Sequence, residues 1–333
     1  MFGRLCAVAG AENVLKDAEM ERFTTFRVGG RADYVVNVYS PAVLAPLLRL
    51  CESENVRVAL MGRGSNLVFD DDGFRGVIIR FCDASGGIRI LSGDGLPAGE
   101  ESLSGDGITT GDGDHVVIYS FAGVQLSRLA SCALELGLSG LEFASGIPGS
   151  VGGGVVMNAG AYGGQLSDVV VRSDYVKLDR GPGTGLNAYE TGSFEGGAQD
   201  FGYRHSVYLG GGYAVTGAYF RLLRTGDRDA IGAKMRELNA RRREKQPLEY
   251  PSAGSAFKRP DGDFAGRLIE AAGLRGLSVG GAQVSEKHCG FIVNRGGATA
   301  EDIKTLVGIV RERVYADSGV MLEPEIRFVS AED

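Results

Sequence analysis

Residues 146–163 read GIPGSVGGGVVMNAGAYG, and few folds can use such a stretch. Proline fixes its own φ and glycine is free at φ > 0, so the run encodes one particular loop path, not a linker. Its apolar residues lack helical spacing. The small side chains would let a flat or phosphorylated ligand touch the main chain; a packing loop is the plain alternative. A second glycine turn, Gly62-Arg63-Gly64-Ser65-Asn66, directly follows the β-rich run Val56–Met61. A glycine pair after a strand can point successive N–H groups at an anion, yet alone it is equally an ordinary strand-end turn. Two such stretches in one chain favour a cofactor cradle. This turn lacks the third glycine of the dinucleotide fingerprint and no Walker A pattern occurs, which disfavours Rossmann and P-loop sites.

Glycine is abundant throughout, 53 of 333 residues, without the period of collagen. The net charge of -7 repels phosphate backbones and anionic lipid, so neither nucleic acid nor a membrane is an expected partner. Five scattered cysteines form no C-x-x-C pair and suit reduced thiols. Met1–Ala11 lacks the apolar run of a signal peptide, and no stretch approaches the ~20 apolar residues of a membrane helix. We expect a cytoplasmic protein that acts as a monomer.

The chain alternates helix and strand signals, as in an α/β or α+β protein. Asp33–Tyr39, Val56–Met61, Gly76–Phe81, Val116–Phe121 and Tyr213–Leu223 read as strands. Pro41–Glu54 and the face Leu126, Leu129, Ala130, Ala133, Leu134 read as helices, the second stopped by Gly137. From Asp83 to Asp114 the pattern stops, which predicts a surface insertion. The composition shifts near Thr225, where a domain boundary is expected. Thr225–Gln246 predicts a helix with basic residues at its C-terminal end, where the helix dipole favours them. Asp263–Ala272 predicts a helix with Phe264, Leu268 and Ile269 inward. Thr299 and Asp302 form a capping box ahead of Ile303, Leu306, Val307, Val310 and Val314.

Three polar positions could carry chemistry. Tyr203-Arg204 sets a permanent cation beside an aromatic, and arginine grips carboxylates at two points. Ser255 offers a hydroxyl between small residues, and Glu325 a carboxylate in a β-like run. Each alone is more simply a solvated surface residue. His115, His205 and His288 are too few and too scattered for a metal site or a triad, and none is proposed. His288 reads as a structural residue.

In order along the chain come Thr25-Phe26-Arg27-Val28-Gly29-Gly30, Gly62-x-Gly64-Ser65-Asn66-Leu67, Gly140-Leu141-Glu142-Phe143 through Gly160-Ala161-Tyr162-Gly163, and Tyr203-Arg204. Then follow Gln246-Pro247-Leu248 through Arg259-Pro260, Gly281-Ala282-Gln283-Val284-Ser285 and Leu322-Glu323-Pro324-Glu325. Together these motifs resemble the UDP-N-acetylenolpyruvoylglucosamine reductases of peptidoglycan synthesis, over about Phe23–Phe328. Ser139–Gly164 and Gln246–Phe264 are the specific stretches. The chain looks like the branch without an extra tyrosine-bearing loop, because Arg204–Thr225 runs on without a long insertion. His205, where an acidic residue is usual, Arg63 and the Asp83–Asp114 insertion depart from the family pattern.

The resemblance implies an α+β protein: a vanillyl-alcohol-oxidase-like FAD-binding domain over 20–224, with an insertion at about 83–114, and a smaller α+β substrate-binding domain over 225–333. FAD would be held by Gly62, Arg63, Gly64, Ser65 and Asn66, and by Gly146, Ile147, Pro148, Gly149, Ser150, Gly152 and Gly153. No His or Cys stands in either loop, so the flavin is expected to be noncovalent. NADPH would be the co-substrate and a UDP-sugar enolpyruvyl ether the substrate. By resemblance Arg204 stabilises charge on the carboxylate side, Ser255 is the general acid, and Glu325 polarises the carboxylate site while protonated, which would need burial. Tyr203, Tyr250, Lys258 and Arg259 would hold the rest of the substrate. A sugar or hydroxy-acid flavin oxidase would share the loops but leave the Gln246–Pro260 motif beside Glu325 unexplained, and a non-catalytic flavin- or nucleotide-binding module would leave Ser255, Arg204 and Glu325 unexplained.

Overall fold

A computed structural model describes residues 1–91, 114–178 and 189–331. It has the expected α+β content. The chain forms two compact units, one of Met1–Val36, Glu54–Ile79 and Arg241–Asp333, the other of Asn37–Ser53 and Arg80–Ala240. These are units of packing; a division near Thr225 by ligand is a separate question.

The first unit carries a four-stranded sheet in the order Val14–Glu19, Arg31–Val38, Phe74–Phe81, Val58–Met61. Met20, Val35, Phe69 and Ile78 are fully buried beside it. Two glycines lock its loops. The N–H groups of Gly30 and Gly73 both donate to Asp70 O at 2.9 Å. A Cβ on Gly30 would lie 2.0 Å from Asp71 O, and one on Gly73 1.9 Å from Arg31 O. No side chain fits either gap.

A second core in this unit gathers Phe26, Ile269, Ile292 and the inner face of helix Ala300–Ser318. Ile303, Leu306, Val307, Val310 and Val314 of that helix are all buried, as their spacing demands. Thr299 Oγ1 accepts from Asp302 N, and Asp302 Oδ2 accepts from Thr299 N, each at 3.0 Å. Asp302 also takes Gly281 N at 3.1 Å, so one carboxylate caps the helix and fixes the Gly280–Gly281 turn. The Thr299 and then the Gly281 N–H groups hold its carboxyl below the ordinary range. Asp302→Ala should therefore cost about 1 kcal/mol at neutral pH. A depressed folded pKa gives stability that is full above the unfolded value of ~3.9 and lost as pH falls through the folded one. Urea melts of wild type and variant should thus converge at acid pH; a gap that persisted there would deny the carboxylate this role.

The second unit is built on a larger antiparallel sheet in the order Thr191–Glu195, Val170–Lys177, Tyr213–Arg224, His115–Phe121, Ile88–Ile90, with Leu138–Ser139 also paired to Tyr213–Arg224. Tyr213–Arg224 is central, and Ala214–Phe220 is buried without interruption. Helix Leu126–Glu135 buries Leu126, Leu129, Ala130 and Ala133, and Gly137 follows in the left-handed region at φ 69°.

Three expectations fail. Val151–Val156, read as loop, is a helix. Gly152 lets it press on Ala122, and Gly154 on Leu166 and Leu126; close packing there outweighs the poor helix propensity of glycine. Ile88–Ile90 is an edge strand inside the expected insertion, paired with His115–Phe121, and residues 92–113 of that insertion lie outside the described residues. Phe264 is 58% exposed because it is the N-cap of helix Ala265–Ala271, not part of its inner face. Leu268 and Ile269 are buried as expected. Among the described residues no helix is long and apolar enough to cross a membrane.

Candidate active site

In the first unit, Ser255 and Glu325 stand on adjacent backbone runs. Ser255 pairs with Phe291, and Phe257 with Pro324. Glu325 N donates to Ala256 O at 2.9 Å, Ala256 N to Gly290 O and Lys258 N to Glu323 O, both at 2.8 Å. Gly254, at φ 78°, makes the bend before Ser255. Both Ser255 and Glu325 are half-buried, and Ser255 Oγ bonds to no described residue. A hydroxyl without a structural duty, on a braced backbone, is free to meet a ligand.

The Gly62–Asn66 turn joins the same assembly. Asn66 Nδ2 donates to Glu325 O at 3.0 Å, and Arg327 N donates to Asn66 O at 2.9 Å. Leu67–Phe69 and Arg327–Val329 then run as a parallel pair. Gly64 sits at φ 63°, where a Cβ would come 2.3 Å from Phe23 O. The N–H groups of Gly62, Arg63, Gly64 and Ser65 donate to no described residue. A turn that offers several unspent donors suits a diphosphate such as that of FAD.

The second unit holds the other glycine run. Ser150 is buried and caps helix Val151–Val156, its Oγ accepting from Gly153 N at 3.4 Å. Gly152 has the packing duty described above. Gly153 is exposed, and a Cβ on it would meet only Ser150 Oγ, at 3.6 Å. Gly146, Ile147 and Gly149 are half-buried and Pro148 is exposed. Tyr203 and Arg204 form the tip of a two-residue turn closed by Gly202 N to His205 O at 3.1 Å and His205 N to Gly202 O at 3.2 Å. Arg204 stands at φ 52°, a conformation that costs a bulky residue on the order of 1–2 kcal/mol. Its guanidinium lies 5.1 Å from the centre of the Tyr203 ring, and Nη2 reaches Gly160 O at 3.4 Å. His205 Nε2 meets Asp200 Oδ2 at 3.0 Å.

The residues expected at the far end of the substrate are partly engaged already. Lys258 pairs with Glu323. Arg259 lies 4.0 Å over the Phe264 ring and donates to Asp263 O. Tyr250 carries the Arg295 guanidinium 4.2 Å over its ring. Arg295 escaped the sequence reading; its only signal was a glycine-flanked cation after a short apolar run. His288 is structural: Nδ1 accepts from Gly290 N at 3.1 Å and the ring packs on Phe291, while burial lowers its pKa. No cluster of metal ligands occurs among the described residues.

Comparison with known proteins defines the class first. An FAD-binding domain matches residues 32–181, and the C-terminal domain of UDP-N-acetylenolpyruvoylglucosamine reductase matches residues 246–329. The chain is 46% identical to the UDP-N-acetylenolpyruvoylglucosamine reductase of Agathobacter rectalis, over 95% of this chain and 94% of that one. It is 41% identical to that of Clostridium botulinum strain Hall, over 98% and 95%. The crystal structure of the Thermus caldophilus reductase superposes with a TM-score of 0.69 at 32% identity, covering 95% of this chain and 97% of that one. The chain belongs to the UDP-N-acetylenolpyruvoylglucosamine reductase family, a family of FAD-containing oxidoreductases.

Proposed function

We propose that this protein reduces UDP-N-acetylglucosamine enolpyruvate to UDP-N-acetylmuramate for peptidoglycan synthesis, with NADPH as the reductant and FAD bound noncovalently. Gly62–Asn66 and Gly146–Gly153 would hold FAD, which would supply the hydride chemistry linking NADPH to the enol-ether double bond. The observation that carries the reading is the Glu325 N–Ala256 O bond, which stands the Glu325 and Ser255 runs side by side in a member of this family. Ser255 Oγ delivers the proton to the carbon bearing the ether oxygen. Arg204 takes the charge that builds on the carboxylate, and Glu325 polarises that side of the substrate. Tyr203, Tyr250, Lys258 and Arg259 hold the rest of the sugar nucleotide, and residues 225–333 supply most of its site. Residues 20–224 hold the flavin, and the absence of His and Cys from Gly62–Asn66 and Gly146–Gly153 supports a noncovalent link.

The five thiols are unpaired, as in reducing compartments, which supports a cytoplasmic site of action. We take the working form to be a monomer. The test is the visible spectrum of the purified protein, followed anaerobically. Flavin bands should bleach with NADPH and return when the enolpyruvyl substrate is added. Bands that bleach and stay bleached would move the protein to another flavin-dependent reaction. A colourless protein that takes up no FAD would end the proposal.

A further inference from the structure

We propose that Asn158 is the positioning residue for Arg204 and sets how well the protein reads the substrate's carboxylate. This rests on the assignment of Arg204 to that carboxylate. Asn158 is 1% exposed and stands at φ 40°, one residue past the C-cap of helix Val151–Val156. Its Oδ1 accepts from Ser167 N at 2.9 Å. Its Nδ2 donates to Gly202 O at 3.0 Å and Ser167 Oγ at 3.3 Å. Gly202 O already accepts from His205 N, so Asn158 occupies the second lone pair of the carbonyl that opens the Tyr203-Arg204 turn.

Two more bonds tie the same pieces. Ser206 Oγ donates to Val156 O at 2.8 Å, and Arg204 Nη2 reaches Gly160 O. A bulky residue persists at positive φ only where its surroundings over-determine it. Here the surroundings are the end of the glycine-run helix, to which two buried side chains join the turn: Ser206 behind Arg204 and Asn158 at the carbonyl that opens it. The Asn158 amide is fixed at both ends, so its orientation leaves the turn little choice. Asparagine tolerates the left-handed region, and it supplies the donor that glycine there would lack.

The test compares two sugar nucleotides by calorimetry on the flavin-loaded protein. UDP-N-acetylmuramate has the carboxylate; UDP-N-acetylglucosamine does not. Arg204→Ala should weaken the first about tenfold or more, the worth of a charge-assisted bond, and change the second less than about twofold. Asn158→Gly keeps the left-handed backbone and removes the amide. It should weaken UDP-N-acetylmuramate about three- to tenfold and spare the other ligand, with flavin content unchanged. The double variant should bind no worse than Arg204→Ala alone, because a residue that acts through another adds nothing once that other is gone. Asn158→Asp, with an oxygen facing Gly202 O, should repeat the selective loss and serves if the glycine variant does not fold. Equal losses for both ligands, full additivity with Arg204→Ala, or no loss would each overturn the proposal. If Arg204→Ala itself fails to discriminate the ligands, the assignment of Arg204 falls instead.

Discussion

Ser255→Ala is expected to leave the flavin reducible by NADPH and to slow formation of UDP-N-acetylmuramate by about 10²–10⁴-fold, the usual contribution of a placed acid. The prediction is sharp because the hydroxyl has no structural work. Ser255 Oγ bonds to no described residue, while the backbone around it is braced by Phe291, Gly290 and Glu325. Losing the hydroxyl strands no partner, so the thermal midpoint should not move. Stopped-flow absorbance separates the two halves of the reaction. Product at the wild-type rate would mean that the proton comes from elsewhere. A parallel slowing of both halves would mean that the change had disturbed the flavin rather than the proton.

Gly73→Ala is expected to cost on the order of 4 kcal/mol or more, and so to threaten the fold itself. Two penalties add. At φ 83° an L side chain is strained, and its Cβ would lie 1.9 Å from Arg31 O, in the backbone of the neighbouring strand. The same turn carries Asp71, whose carboxylate accepts from Ala300 N at 2.8 Å and Glu301 N at 3.0 Å, so the clash would also pull at the start of helix Ala300–Ser318. Gly262 is the control. It has φ 74° and open space where a Cβ would go, so Gly262→Ala should cost only about 1 kcal/mol, the backbone penalty alone. Denaturant midpoints of the two variants would resolve this. Equal losses would show that the steric gap at Gly73 relaxes easily.

These residues also mark where the sequence was legible. The Thr299–Asp302 cap could be read because its partners are three residues apart and the helix behind it repeats regularly. The Gly30–Gly73 lock could not, since the two glycines are far apart in sequence and nothing local pairs them. Helix Val151–Val156 went unread because three consecutive glycines argue against a helix, and only contact with Ala122, Leu126 and Leu166 reverses that. The residue types at the candidate site were legible through the family motifs. Their supports were not: Asn66 reaches Glu325, and Asn158 reaches Gly202, across 259 and 44 positions. Side chains that act on a distant carbonyl leave no periodic trace.

The parallel pairing of Leu67–Phe69 with Arg327–Val329 limits how this chain can be taken apart. One strand falls within the stretch matched as an FAD-binding domain, the other within the stretch matched as a C-terminal domain. A chimaera that exchanged residues 246–329 between relatives as a cassette would import a strand whose mate stayed behind, and with it a Glu325 whose carbonyl must find a foreign Asn66. The transplantable piece is therefore discontinuous: the C-terminal stretch together with the turn and strand from Gly62 to Phe69.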